Sequence, residues 1–250
     1  MENKKEELAK KRMTFDTFKE MALDKSLSKY EKIGFPDDYR QAYEQEIFNN
    51  IYNVLKLERK NIVFFDIGCG CSELPNLIIE NSIKLNQSLY LIDSIEMLCN
   101  LKEHKNIVKV AAKFPDELEL EKYKNTVDAI VIYSVLQHVI LDMNPFSFID
   151  KAVSLLKVGG RLLLGDIPNI SKRNRFFASD TGYKFHQDFT KDNTKPSYSF
   201  NNLIEDKIDD SLVFAILNRY RMAGYETYLL EQPSTLPMYN RREDILIVKN

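Results

Sequence analysis

The spacing of hydrophobic residues changes character along this chain. From Gln41 to Leu55, the residues Ile47, Phe48, Ile51, Val54 and Leu55 recur at helical spacing on one face, which predicts a helix packed against the main body. The apolar positions then come in short, nearly unbroken runs at 62–67, 89–92, 107–111 and 127–133, as expected for strands buried on both faces. Between them the pattern returns to helix: 73–85, with Ser72 placed as its cap, and a shorter stretch from Ser94 through Leu101. Asn144-Pro145 opens another helix in the favoured cap and first-turn order, and Gly159-Gly160 ends it before a fifth strand at 161–165. Near the end, Asp210 is placed as the cap of a helix with Val213, Ile216, Leu217 and Tyr220 on one face, stopped by Gly224. Runs at 226–230 and 245–248 supply two final strands with no helix between them, hence an antiparallel pair at one edge.

Alternating strands and helices of this kind predict an α/β fold: a doubly wound, seven-stranded, mostly parallel sheet with an antiparallel final strand. Two segments lie outside the alternation. Residues 1–58 read as an N-terminal helical segment or lid, with a charged helix over the first dozen residues and Tyr30, Phe35 and Tyr39 as anchors around Gly34 and Pro36. Residues 59–250 form the main domain, in which 167–209 is polar and aromatic without a clear period; a stretch of that length points to a substrate lid.

Bulk properties narrow the function classes. The 250 residues carry 35 Lys and Arg against 37 Asp and Glu, a formal charge of −2, which argues against general electrostatic capture of nucleic acid. No secretory signal is visible at the N-terminus, and the most apolar stretch, 130–141, is too short to span a bilayer. Three cysteines, Cys69, Cys71 and Cys99, form no disulfide framework and fit a reducing compartment, so a cytoplasmic location is expected. Cys69 and Cys71 are half a tetrahedral metal set and nothing completes it, so no metal is expected.

The sharpest local signal is FFDIGCGCSELP, residues 64–75: a strand, Asp66, a tight turn through Gly68 and Gly70, and a helix start. Glycines there let the chain bend and let a ligand approach main-chain amides at the carboxyl end of the first strand. Glu73 stands where a nicotinamide fingerprint requires a third Gly or Ala, and Asp66 would repel a pyrophosphate. A carboxylate suits a ligand with a cationic amino group.

This motif resembles that of the class I S-adenosylmethionine (SAM)-dependent methyltransferases, an acid followed by x-Gly-x-Gly and a small residue. The similarity continues at LYLIDSIEML (89–98), TVDAIVIYSVLQHV (126–139) and LLKVGGRLLLGDIPN (155–169), in order along the chain. The resemblance implies SAM as cofactor, held by Asp66, Gly68, Cys69 and Gly70, with Asp93 accepting the ribose hydroxyls beside Ser94 and Met97 lining the adenine pocket. Phe114 would pack on adenine where many relatives carry an acid after the third strand. Tyr133 and Ser134 lie at the expected methyl position, and Tyr30 and Tyr39 are further candidate contacts from the N-terminal segment. KYEKIGFPDDYRQ (29–41) and GDIPNISKRNRFF (165–177) are also similar to small-molecule methyltransferases of bacterial capsule and surface-glycan pathways, implying O-methylation of a sugar, a nucleotide sugar or a phosphorylated capsule precursor such as a phosphoramidate.

A hydroxyl acceptor benefits from a general base. Of three histidines, His104 is expected on the far edge of the sheet, leaving His138 and His186 as alternatives, either of which could instead orient a loop. Asp166 ends the fifth strand and could hold a histidine or the substrate, or cap a turn. Arg173 and Arg175, with Arg241 before the last strand, suit a phosphate or carboxylate on a small acceptor, or else form solvated basic turns. Two other readings stay open: a catalytically silent SAM-binding scaffold subunit, and an NAD-dependent oxidoreductase. The partners expected are a small-molecule acceptor and no nucleic acid or membrane, and a homo-oligomer is compatible with the sequence.

Overall fold

The computed structural model describes residues 11–116 and 118–250; the helix expected over the first dozen residues falls almost wholly outside them. The chain enters through α1 (Phe15–Leu23), a single 3₁₀ turn (Glu31–Ile33), the one-turn helix α2 (Asp37–Arg40) and α3 (Glu44–Leu55). There follow β1 (Val63–Ile67), α4 (Leu74–Lys84), β2 (Ser88–Asp93), α5 (Ile95–Leu98), β3 (Ile107–Ala111), β4 (Val127–Tyr133), α6 (Leu136–Asp142), α7 (Pro145–Leu155) and β5 (Leu156–Pro168). The remainder is α8 (Ile170–Phe177), α9 (Asp180–Thr190), α10 (Asp210–Met222), β6 (Tyr225–Leu230) and β7 (Arg242–Lys249).

The seven strands form one sheet in the order β3-β2-β1-β4-β5-β7-β6. β7 lies between β5 and β6 and is antiparallel to both, so it is the reversed strand of an otherwise parallel sheet. Both faces are covered, and successive β1 residues show why its sequence is apolar without alternation. Phe65 and Ile67 enter the cluster built from α7 and α10, whereas Phe64 enters the one built from α3, α4 and α5. Phe64 and Phe65 are both fully buried, each stabilising the fold by about 2–3 kcal/mol relative to exposure.

Several boundaries differ from the sequence expectation. Ser72 does not cap α4; the cap position is Glu73, and the Ser72 hydroxyl donates instead to Glu44 Oε2 at 3.3 Å. Asp209, not Asp210, caps α10, accepting from the amides of Ser211 and Leu212, which frees Asp210 to pair with Arg175. The helix after β2 is a single turn ending at Leu98. Residues 167–209, expected to be irregular, hold α8 and α9, capped by Asn169 and Ser179. Their polar faces hide the helical period, because much of each helix is exposed.

The crossovers run in opposite directions on either side of β1 and β4. The carboxyl ends of those strands therefore open a crevice at the switch point, where ligands of open α/β sheets bind.

Candidate functional site

One cavity occupies that crevice. Its floor is the turn after β1, where Gly68 and Gly70 adopt φ of 75° and 64°. A Cβ at Gly68 would lie 2.6 Å from Val135 Cγ2, and one at Gly70 would lie 2.7 Å from Ile33 Cγ2, so conformation and space both demand glycine. Asp66, Cys69, Asp93, Met97, Phe114, Tyr133, Ser134 and His138 also line the cavity, which thus gathers most of the residues singled out from the sequence.

Asp66 is 4% exposed, and no hydrogen bond reaches its carboxylate from the described residues. Burial, and then the charge of Asp93, push its pKa up to about 8. A buried carboxylate with neither donor nor cation is costly unless a ligand supplies one. Asp93 differs: Oδ2 accepts the Gly70 amide at 2.8 Å and Oδ1 accepts the Ser94 amide at 2.7 Å. Burial raises it to about 6, with these two amides opposing the shift. Each oxygen is oriented by one amide, leaving lone pairs for further donors. Ser94 itself caps α5, accepting from the Met97 amide, and so fixes Met97 in the wall. Burial, then Asp93 and Asp66, push the Cys69 thiol well up, which keeps it neutral. Among the described residues, no group of three or more His, Cys, Asp or Glu is arranged to hold a metal ion.

The opposite wall comes from residues the sequence did not single out for the site, Phe35 having been read only as an anchor of its segment. Phe15, Phe18, Ile33, Phe35 and Arg40 close over the glycine turn from the N-terminal segment. Tyr30 and Tyr39, chosen from the same stretch, are not in the wall; Tyr30 is buried elsewhere and Tyr39 faces Phe189 on α9, ring centroids 6.4 Å apart. The signal pointed to the right segment but the wrong side of it, because one turn of α2 sends Tyr39 and Arg40 in different directions.

Arg40 is 4% exposed and fully compensated. Nε donates to Glu44 Oε1 at 3.0 Å, Nη1 donates to Ser134 Oγ at 3.4 Å, and the guanidinium lies over the Phe35 and Tyr133 rings. Ser134 Oγ donates to Asp166 Oδ2 at 2.5 Å. Ser134 follows β4 and Asp166 lies within β5 where its pairing with β7 is irregular; both have positive φ, 58° and 57°, a conformation costing non-glycine residues about 1–3 kcal/mol each. Asp166 is outside the cavity wall; its amide donates to Asp244 Oδ1 at 2.8 Å and Arg242 Nε lies 3.7 Å from Oδ1, so it acts through Ser134 as a support.

His138 lies on α6, its ring 4.7 Å from Phe18 in an edge arrangement. Nδ1 is 3.0 Å from the Met13 carbonyl oxygen, which can only accept, so Nδ1 carries the proton and Nε2 keeps a lone pair. Burial, with a smaller contribution from the Arg242 charge, lowers its pKa to about 4, against the opposing Met13 bond, so the ring is neutral near pH 7. His186 is elsewhere, on α9, 3.2 Å from Thr194 Oγ1. His104 precedes β3, at the amino ends of the strands. Arg173, Arg175 and Arg241 are likewise outside the cavity wall. Arg175 is bonded to Asp210, which removes it as a free anion ligand.

Comparison with known proteins bears on this geometry. The family profile described as a methyltransferase domain matches residues 65–164, the stretch that carries the glycine turn, Asp93 and the β4 tip. No curated protein matches by sequence. Among solved structures, a SAM-dependent methyltransferase from Aquifex aeolicus is similar at TM-score 0.55 and 15% identity, over 88% of this chain and 96% of that one. The CurJ carbon methyltransferase is similar at 0.55 and 12%, over 90% of this chain and 62% of that one. A putative O-methyltransferase from Nostoc punctiforme PCC 73102 is similar at 0.52 and 14%, over 95% and 63%. At such identities these structures speak for the fold alone, and they differ in the atom named in their descriptions. Over residues 65–164 the chain is thus similar to a methyltransferase domain, and the order of its seven strands gives it the fold seen in these solved methyltransferases.

Proposed function

We propose that this chain transfers a methyl group from SAM to an oxygen atom of a small acceptor, with the cofactor lying across the tips of β1 and β2 and His138 taking the acceptor's proton. The observation that carries the reading is the buried, unpartnered carboxylate of Asp66 beside the amide-oriented carboxylate of Asp93. The first matches an ammonium group and the second matches a pair of hydroxyls, so the donor set fits the amino-acid and ribose ends of SAM. The positive-φ glycines between them leave room for close approach. Met97 and Phe114 offer apolar surface at the β2–β3 end, suited to adenine.

SAM, when bound, supplies an electrophilic methyl group on a sulfonium. What remains for the chain is to align the acceptor with that group, shield it from water and accept a proton. Alignment falls to Tyr133 and Ser134, the latter held in its left-handed conformation by Asp166 and Arg40. His138 Nε2 is a neutral acceptor near pH 7; its low basicity is adequate because a hydroxyl attacking carbon becomes a far stronger acid as the bond forms. Phe15, Phe18, Ile33 and Phe35 act as an apolar cover, so the described part of the N-terminal segment, residues 11–58, serves as a lid on the cofactor and 167–209 as a flap on the acceptor side. The similarity of residues 29–41 and 165–177 to capsule and surface-glycan methyltransferases supports a sugar, nucleotide sugar or phosphorylated precursor as acceptor.

Calorimetry with SAM, S-adenosylhomocysteine and NAD tests the cofactor, and a turnover screen of sugar phosphates and nucleotide sugars, read by S-adenosylhomocysteine formation, tests the reaction. Saturable binding of NAD but not SAM would overturn the reading. SAM binding without turnover on any acceptor would favour a scaffold role.

A further inference from the structure

Two basic clusters, at 172–175 and 241–242, hold five cations with different fates. Lys172 pairs with Glu243 at 3.2 Å, Arg175 with Asp210, and Arg242 lies 3.7 Å from Asp166. Arg173 and Arg241 have no carboxylate within ion-pair distance among the described residues. Arg173 Nη1 donates only to neutral oxygens, Asn174 Oδ1 at 3.3 Å and the Ser197 carbonyl at 3.2 Å. Arg241 instead packs on aromatic faces. The two guanidiniums converge on one ring: Arg173 lies 4.9 Å and Arg241 5.7 Å from the Phe177 centroid, and Arg241 is also 5.7 Å from that of Phe185.

We infer that Arg173 and Arg241 form an anion-recognition site for the methyl acceptor, taking a phosphoryl or carboxylate group at the rim of the cavity; this rests on the methyltransferase reading above. Cation–π contact offsets part of the cost of partly burying a guanidinium and leaves its charge uncancelled. Two such charges sharing one ring repel each other, a cost that the fold avoids at the three neighbouring cations by supplying carboxylates. Burial, and then the charges of Arg242 and Arg173, hold Arg241 below the ordinary arginine range, with Tyr39 opposing them. Guanidinium forks match the oxygens of phosphate or carboxylate, and an incoming anion would relieve the repulsion as well as gain charge-assisted hydrogen bonds.

Chain connectivity puts the site beside the reaction. Arg241 directly precedes Arg242, which reaches Asp166 under Ser134. The Asn169 amide, just past β5, donates to the Arg241 carbonyl at 3.1 Å. An acceptor anchored there by its anionic group extends inward toward the β4 and β5 tips.

The test uses the full chain saturated with S-adenosylhomocysteine, which fills the cofactor cavity, titrated calorimetrically with inorganic phosphate, UDP and glucuronate. Saturable binding of at least one is expected, weakened at least tenfold in Arg173→Gln and in Arg241→Gln. Arg219→Gln, which removes a surface cation paired with Asp150, should leave it unchanged. Phosphate and UDP binding without glucuronate assigns a phosphoryl group; the reverse assigns a carboxylate. Arg173→Gln keeps the test decisive should Arg241→Gln fail to fold. Absence of saturable heat from all three anions, or unchanged affinity in a folded Arg173→Gln variant, would overturn the inference. A separate titration with S-adenosylhomocysteine alone distinguishes this failure from that of the methyltransferase reading, because the cofactor would still bind.

Discussion

Asp66→Asn should make the protein more stable without cofactor and much poorer at binding it. In the folded chain burial and Asp93 move Asp66 from 3.8 to about 8, so the native state holds a proton that the unfolded chain releases. For an acid raised in this way, the stabilising contribution is largest below the unfolded value and falls as pH rises from about 4 to about 8. At pH 7, roughly three pH units above the unfolded value, keeping that proton costs at most ~4 kcal/mol, at ~1.4 kcal/mol per pH unit. Asparagine removes that cost but leaves an amide without partners, itself worth about 1–3 kcal/mol. A net gain of about 1–3 kcal/mol remains, raising the melting temperature by several degrees in a chain of this size. Scanning calorimetry from pH 4 to pH 8 should show Asp66→Asn gaining on the wild type as pH rises, with the two melting curves crossing at about pH 4.5–6, where the ionisation cost overtakes that of the amide. SAM affinity should fall about 100-fold, a loss of ~3 kcal/mol for a buried, charge-assisted contact. Wild-type binding at pH 7 should release about one proton, visible as a reaction heat that depends on the ionisation enthalpy of the buffer. An Asp66→Asn protein that binds SAM normally, or wild-type heats independent of buffer, would refute the pairing of this carboxylate with a cation.

Asp93→Ala should weaken SAM binding by about 10–100-fold and lower stability by about 1–3 kcal/mol, since the Gly70 and Ser94 amides lose their acceptor; equilibrium dialysis and thermal melts measure the two effects. In the wild type, a carboxylate raised to about 6 also predicts that SAM binding weakens as pH falls through 6. His138→Gln should reduce kcat by about 10²–10⁴-fold while leaving S-adenosylhomocysteine affinity intact, and the acid limb of the wild-type rate should lie near pH 4 rather than 6.5, because the ring is protonated only below its lowered pKa. Gly68→Ala places a Cβ 2.6 Å from Val135 Cγ2 at a φ of 75° and should cost about 1–3 kcal/mol; Val135→Ala in the same chain should recover the steric part and leave the backbone part, as read by denaturant unfolding.

The sequence disclosed the parts of this protein whose physics is local. Nearly unbroken apolar runs such as 127–133, short and rich in β-branched residues, mark strands covered on both faces. The glycine turn was equally legible, since positive φ next to a strand end is a backbone requirement that few residues meet. Asp66 and Asp93 followed as the acids at the carboxyl ends of the first two strands. The boundaries that moved at Ser72 and Asp210 were decided by competition for nearby partners: Glu44 took the Ser72 hydroxyl, and Arg175 took Asp210.

Only the folded chain decided which distant residues meet. The cover formed by Phe15, Phe18, Ile33 and Phe35 carries no motif, because any apolar side chain of suitable size can close a cavity. The five cations of the acceptor rim look alike in sequence; they part company once Glu243, Asp210 and Asp166 neutralise three and leave Arg173 and Arg241 on Phe177. His138 and His186 were equal candidates until α6 brought one into the cavity and α9 carried the other to Thr194. Periodicity and turn chemistry are written residue by residue along the chain, whereas charge pairing and burial depend on neighbours that only tertiary packing supplies.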